Sequence, residues 1–352
     1  MIPQHWRDAA LAPPVAWGSG PIATGILRAS PEDFEVVEVL GFEASGAGPH
    51  ALLTVRKRGA NTEWVARELA RAAGCKPFEV GFAGLKDRNA VTTQAFTIPR
   101  GKRTAEEFIG LAGEGYEVTA AAAHQRKLPR GALEGNRFDI TVREVHCDAL
   151  QLRQRIESLA SGGVPNYFGP QRFGRDGGNL LEVLQAAERQ ETGARGRGRQ
   201  DRGFMLSAAR SLVFNAILAA RIEQGSWNRL LPGDVANLDG RGSVFAVPSP
   251  DEELQRRCAA LEIHATAPLW GEGESLSAGE VRALEDAVAA QFPQALAVIG
   301  AERMNSERRS LRMRVRDLTH DYEQDVLRLR FALPAGSFAT VVLRELILIH
   351  GE

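Results

Sequence analysis

The sequence predicts a mixed α and β protein of more than one domain. Three observations carry this. Stretches that alternate apolar and polar residues occur towards both ends of the chain. Amphipathic stretches bounded by helix-capping residues lie among them. The middle is rich in glycine, arginine and aromatic residues and reads as mixed α and β with long loops. The length of 352 residues suggests two or three domains, and 44% hydrophobic with 25% charged residues is the composition of a folded globular chain.

Taken in order, residues 1–20 are Pro- and Gly-rich and read as a loosely ordered arm. Asp33–Leu40 and Ala51–Lys57 are short, β-branched and bounded by Gly or Pro, so they are strands. Asn61 or Thr62 can cap a helix through Ala73, with Trp64, Val65 and Leu69 on one face and Gly74 as the stop. Residues 78–99 read as strand, turn, strand, with Asp87 in or beside the turn. In Gly135–Val145, Phe138, Ile140 and Val142 alternate with Asp139, Thr141 and Arg143, the pattern of a half-buried strand. Asp148 and Gln151 form a capping-box pattern that opens a helix ended by Gly162-Gly163. Residues 164–179 are loop-like, and the basic residues 189–203 read as flexible. Helices follow from about Leu206 to Ile222 and from Ser277, where Ser277 and Glu280 repeat the capping-box pattern. Leu327, Leu329 and Phe331 mark a last strand, and Gly336–Ile347 a last capped helix.

Composition excludes several classes. A net charge of -1 gives no global attraction to an anionic partner, so such a partner must meet a local patch. Basic clusters at Arg56-Lys57-Arg58, Arg100/Lys102/Arg103, Arg126/Lys127/Arg130, Arg195 to Arg202 and Arg308 to Arg316 are candidates for a phosphate-binding surface or are solvated faces. The three cysteines are far apart and the seven histidines scattered, so neither a disulfide framework nor a metal site is predicted. No signal peptide or membrane-length apolar run is evident, and the expected location is the cytoplasm. No dinucleotide or P-loop fingerprint occurs.

The sharpest local feature is Lys86-Asp87-Arg88 within "GFAGLKDRNAVTTQAF". Cations on both sides favour an ionised carboxylate. Alone, the triplet reads first as a solvated turn and second as a carboxylate kept for chemistry. A reacting carboxylate needs a separate cation to orient it, and Arg28 is a candidate. Phe138 is by default a core residue, but it follows Gly135-Asn136, where a strand start could admit close approach of another molecule. An aromatic there could stack on a base.

Together these segments resemble the TruD family of tRNA pseudouridine synthases. "GFAGLKDRNAVTTQ" is similar to the family's stretch around its catalytic aspartate, and "ASPEDFEVVEV" to the segment following its basic partner. "HALLTVRKRGANTEWVARELA", "GNRF", "PNYFGPQRFG" and "LPAGSFATVVLREL" are also family-like, from about residue 20 to the end. The resemblance implies an α+β fold: a catalytic domain with a large mixed, mainly antiparallel sheet flanked by helices, from 1–161 and 306–352, and an inserted α/β family-specific domain at 162–305. RNA would lie in a cleft between the two. It implies Asp87 and Arg28 as catalytic residues and Phe138, Asn136, Lys86 and Arg88 as substrate-binding residues. Arg28 stands where the family also uses Lys, a change that keeps charge but alters donor geometry.

The implied reaction converts uridine to pseudouridine in tRNA, by analogy at position 13, on a base swung out of its stack. Asp87 would attack carbon or act as a base through a glycal intermediate. No redox change occurs, so no cofactor is implied; the expected partner is tRNA, and the expected state a monomer without metal or membrane. Two rivals stand beside this reading. One is an RNA-binding or RNA-folding protein without catalysis. The other is a carboxylate glycosidase, which needs a second acid that the sequence does not evidently supply.

Overall fold

The computed structural model describes residues 1–189 and 199–350. Most of the basic stretch expected to be flexible, 189–203, lies outside the described residues. Contacts divide the chain into two compact units: Ala23–Leu152 with Val315–Gly336 and Ile347–Glu352, and Met1–Ile22 with Arg153–Arg314 and Ser337–Leu346.

The first unit is built on one large mixed sheet. Its strands are β1 (Ala23–Leu27), β2 (Phe34–Val39), β3 (His50–Arg58), β4 (Gly81–Phe82), β5 (Val91–Pro99), β6 (Ala112–Gly113), β7 (Tyr116–His124) and β8 (Gly135–His146), with Arg316–Glu323, Val326–Pro334 and Ile347–His350 from the end of the chain. The main path runs Arg316–Glu323, Val326–Pro334, β8, β2, β5, β3, β7, β6. Among the described residues of this sheet, β2 with β5 and β1 with Ile347–His350 pair in parallel and the other pairs are antiparallel. This is the mixed, mainly antiparallel sheet expected.

Local chemistry explains its best-formed elements. Helix Thr62–Ala73 begins where the Asn61 side-chain oxygen accepts the Glu63 N–H at 2.8 Å. It ends at Gly74, whose φ of 69° a side chain would disfavour. Val65 and Leu69 bury their faces against Leu53, Val55, Phe96, Ile98 and Val118. In β8 the predicted alternation holds: Phe138, Ile140 and Val142 are buried and Arg137 and Arg143 are exposed. Gly135 does serve close approach, but to this chain's own strand: a Cβ there would stand 2.3 Å from the Leu333 carbonyl oxygen.

The second unit has a four-stranded antiparallel sheet in the order Val244–Val247, Asp234–Leu238, Ile263–Leu269, Glu307–Ser310. Its central helix is Arg199–Glu223. Contrary to expectation, this helix contains a stretch, Arg202–Glu223, long and apolar enough to cross a membrane. Leu212, Val213, Phe214 and Leu218 of this stretch are buried in the unit's own core.

Three other expectations are corrected. The first residues are not a loose arm: Gln4–Leu11 is a helix with Trp6 fully buried against Phe292. The following segment is tied down by Glu345, whose carboxylate accepts the N–H groups of Ala16 and Trp17 at 3.0 to 3.1 Å. Burial pushes that carboxyl above its ordinary range, and those two donors hold it back. The Ser277 capping box does not form. Ser277 donates to buried Glu285 at 2.6 Å, and the helix spans Gly279–Ala289. The last helix is only Ala339–Arg344, because Ile347–His350 leaves it to pair with β1.

Candidate active site

Asp87 sits in the turn between β4 and β5, as its flanking strands required. The turn is anchored on both sides. The Ala83 carbonyl accepts from Gly131 N at 2.7 Å, and the Ala90 carbonyl from Gly59 N at 3.4 Å. Arg28 follows β1 directly and adopts φ 59°, a left-handed conformation that costs a non-glycine residue about 1 kcal/mol or more. That turn aims its guanidinium at Asp87, with Nη2 2.8 Å from Oδ2. The guanidinium carbon also lies 4.2 Å from the centroid of the Phe34 ring. The left-handed backbone at Arg28 carries no local sequence signal, and the partner its side chain meets is 59 residues away.

Lys86 turns inward rather than to solvent. Its Nζ is 2.9 Å from Glu38 Oε2 and donates to Asn136 Oδ1 at 2.6 Å. Glu38 is buried to 1% side-chain exposure and also accepts the Ala95 N–H at 3.2 Å. So Lys86 and Asn136, 50 residues apart, are joined, with Glu38 as the acid that fixes them. Arg88 goes elsewhere. Its Nε donates to the Gly59 carbonyl at 3.2 Å. It lines a concavity of about 390 Å³ with Arg58, Asn61, Trp64 and Glu114.

Phe138 stands on the same face of β8 as Asn136. Its ring is stacked with Phe331 at 5.3 Å between centroids and meets the edge of Phe34 at 6.3 Å. It is buried, and is therefore a core residue as well as a candidate wall of the site. Phe138→Ala is expected to cost about 3–5 kcal/mol of stability. A denaturant midpoint that does not move would show that the ring is not packed as described.

Two site residues escaped the reading of the sequence although a signal was there. Glu38 falls in phase with buried Phe34 and Val36, and Lys57 in phase with buried Leu53 and Val55. A charge on the apolar phase of a strand has to be paired inside. Lys57 is buried, and burial first, then neighbouring Lys86, push its ammonium down to about 8, opposed by the Glu38 and Asp87 carboxylates.

The basic cluster near residue 310 is largely structural. Arg308 pairs with buried Glu285 at 2.5 Å, Arg309 donates to Asn166, and Arg312 is enclosed by His264, Cys258 and Asn228. These guanidiniums are turned into the second unit and do not form a phosphate-binding face.

The sequence model of the family described as tRNA pseudouridine synthase D (TruD) matches residues 17–192 and 198–346. A tRNA pseudouridine synthase D of Xanthomonas campestris pv. campestris (strain 8004) is 45% identical over 337 residues, covering 92% of this chain and 92% of that protein. One of Methylococcus capsulatus (strain ATCC 33009 / NCIMB 11132 / Bath) is 46% identical over 330 residues, covering 92% and 91%. The fold is similar to the crystal structure of a Methanosarcina mazei protein assigned to tRNA pseudouridine synthase D, with a TM-score of 0.74 and 22% identity over 98% of each chain. On the family match and these relatives, the chain belongs to the tRNA pseudouridine synthase D (TruD) family.

Proposed function

We propose that this protein isomerises uridine to pseudouridine in tRNA, at position 13 by resemblance, with Asp87 as the reacting carboxylate. The observation that carries the assignment of Asp87 is its ion pair with Arg28 at 2.8 Å, with the carboxylate side chain still 32% exposed. An acid that is oriented yet reachable suits a group that must meet a substrate. An acid fixed for stability alone would be enclosed like Glu38.

In this mechanism the target nucleotide leaves its stack, at a cost of a few kcal/mol offset by cationic contacts to phosphate. The N1–C1′ bond breaks, the uracil turns, and C5 bonds to C1′. Asp87 either attacks carbon or accepts a proton on the way to a glycal-type intermediate. Arg28 holds the carboxylate by a charge-assisted hydrogen bond. Asn136, fixed by Lys86 and Glu38, offers its amide to the base, and Phe138 supplies an apolar wall. A phenyl ring cannot take the C5 proton, so Asp87 or a water must. The reading has the protein acting as a monomer in the cytoplasm, with the discontinuous unit that holds Asp87 as the catalytic domain. The test is incubation of the purified protein with a tRNA transcript, followed by carbodiimide labelling. A labelled pseudouridine at position 13 is the expected product; bound but unlabelled RNA would favour the non-catalytic RNA-binding reading.

A further inference from the structure

Beneath the Asp87 turn lies a buried polar cluster to which the mechanism above gives no part. Its centre is Thr62, the first residue of helix Thr62–Ala73, which is 1% exposed. Its Oγ1 accepts from Lys57 Nζ at 3.3 Å and from the backbone N–H of Lys86 at 3.1 Å, and donates to Gln94 Oε1 at 3.1 Å. A hydroxyl has one donor and two acceptor sites, and all three are used. Gln94, also 1% exposed, passes the hold on: its Nε2 donates to the Gly84 carbonyl at 2.7 Å. Lys57 Nζ makes a further bond to the Ala60 carbonyl at 3.3 Å. The turn is therefore gripped at Gly84 and Lys86, immediately before Asp87, by side chains from β3, β5 and the helix start.

We propose that Thr62 is a positioning residue for Asp87, its hydroxyl held in register by Lys57 and Gln94; this rests on the reading of Asp87 as the reacting carboxylate. Displacing a reacting group by about 1 Å can cost on the order of 10²-fold in rate. The cluster fixes the backbone N–H of the residue adjacent to Asp87, so a loosened hydroxyl would be felt at the carboxylate.

Lys57 is poorly suited to a purely structural role. Its ammonium bonds to the neutral Ala60 carbonyl and Thr62 hydroxyl, and burial is the first cause that pushes it down to about 8 from an ordinary 10.5. The unfolded chain therefore binds more protons between those two values. The penalty is complete below about pH 8 and is lost as pH rises towards 10.5. Lys57→Met is accordingly expected to keep or raise the melting temperature at pH 7 while slowing the reaction. A wild-type rate in that variant would remove Lys57 from the cluster's function.

The decisive comparison is Thr62→Val against Thr62→Ser, with single-turnover rates on a tRNA transcript and hydrogen exchange of the Lys86 amide. Thr62→Val is expected to lower kcat by on the order of 10²-fold with KM little changed, since RNA contacts are untouched. It should also lose exchange protection at Lys86. Thr62→Ser, which keeps the three bonds, should retain both rate and protection. Equal rates in Thr62→Val and wild type, or equal losses in the Val and Ser variants, would overturn the proposal. So would unchanged Lys86 protection in Thr62→Val, which can be read even without turnover. A wild-type protein that makes no pseudouridine would instead overturn the reading of the function, while the exchange result still decides the role of Thr62.

Discussion

Asp87→Asn is expected to reduce isomerisation by on the order of 10⁴-fold, equivalent to about 5.5 kcal/mol in the barrier, with tRNA affinity almost unchanged. Asn keeps the shape of the side chain and removes its charge and basicity. The fold should hardly register the change. The Arg28–Asp87 pair is part-exposed, and such pairs contribute about 0–1 kcal/mol. An unchanged melting temperature with lost turnover therefore separates chemistry from folding. Tritium release from C5-labelled uridine in a tRNA transcript measures the step directly. Substantial release by the variant would take Asp87 out of the reaction.

Arg221→Met is expected to lower stability by about 3–5 kcal/mol. Arg221 and Asp234 are enclosed, with side-chain exposures of 2% and 0%. The guanidinium meets both carboxylate oxygens, at 2.8 and 3.0 Å, and also donates to the Ser226 and Arg229 carbonyls. Removing it leaves Asp234 buried with the Leu231 N–H at 2.7 Å as its remaining donor. An uncompensated buried charge is costly, whereas replacing both partners by apolar residues can be nearly neutral. The double variant Arg221→Met/Asp234→Leu should therefore be more stable than Arg221→Met alone. Urea midpoints check this, and a single variant within about 1 kcal/mol of wild type would show that the pair carries little of the second unit's stability.

What was legible in the sequence was what local chemistry decides. Helix Thr62–Ala73 is announced by Asn61 and Gly74, and β8 by its period of two. Helix Gln4–Leu11 was missed because neither terminus carries a side-chain cap: it is held by Trp6 packing on a distant Phe292. The last helix was read as too long for a related reason. Val341 to Leu346 continue an apolar stripe, but Ile347–His350 is claimed by the free edge of β1, a partner more than 300 residues away. The Ser277 motif failed because Glu285, two helical turns along, competes for the hydroxyl and wins it inside the core.

The site divides the same way. Asp87, Arg28, Asn136 and Phe138 were marked by motif, and Arg28–Asp87 and Lys86–Asn136 meet as pairs. Arg88 was read as substrate-binding, and its Nε donates to the Gly59 carbonyl. Glu38, Lys57, Thr62 and Gln94 form the frame of the site but look ordinary in sequence. Their roles depend on which strands become neighbours: β2 beside β5 and β8, and β3 beside β5. The phase of Glu38 and Lys57 was the one available warning.

The most direct test of the central claim is a map of pseudouridines in RNA from cells that have the protein, lack it, or carry only Asp87→Asn. The account predicts that pseudouridine at tRNA position 13 disappears with the gene, returns with the wild-type chain, and does not return with Asp87→Asn. A map unchanged by loss of the gene, or restored by Asp87→Asn, would contradict it.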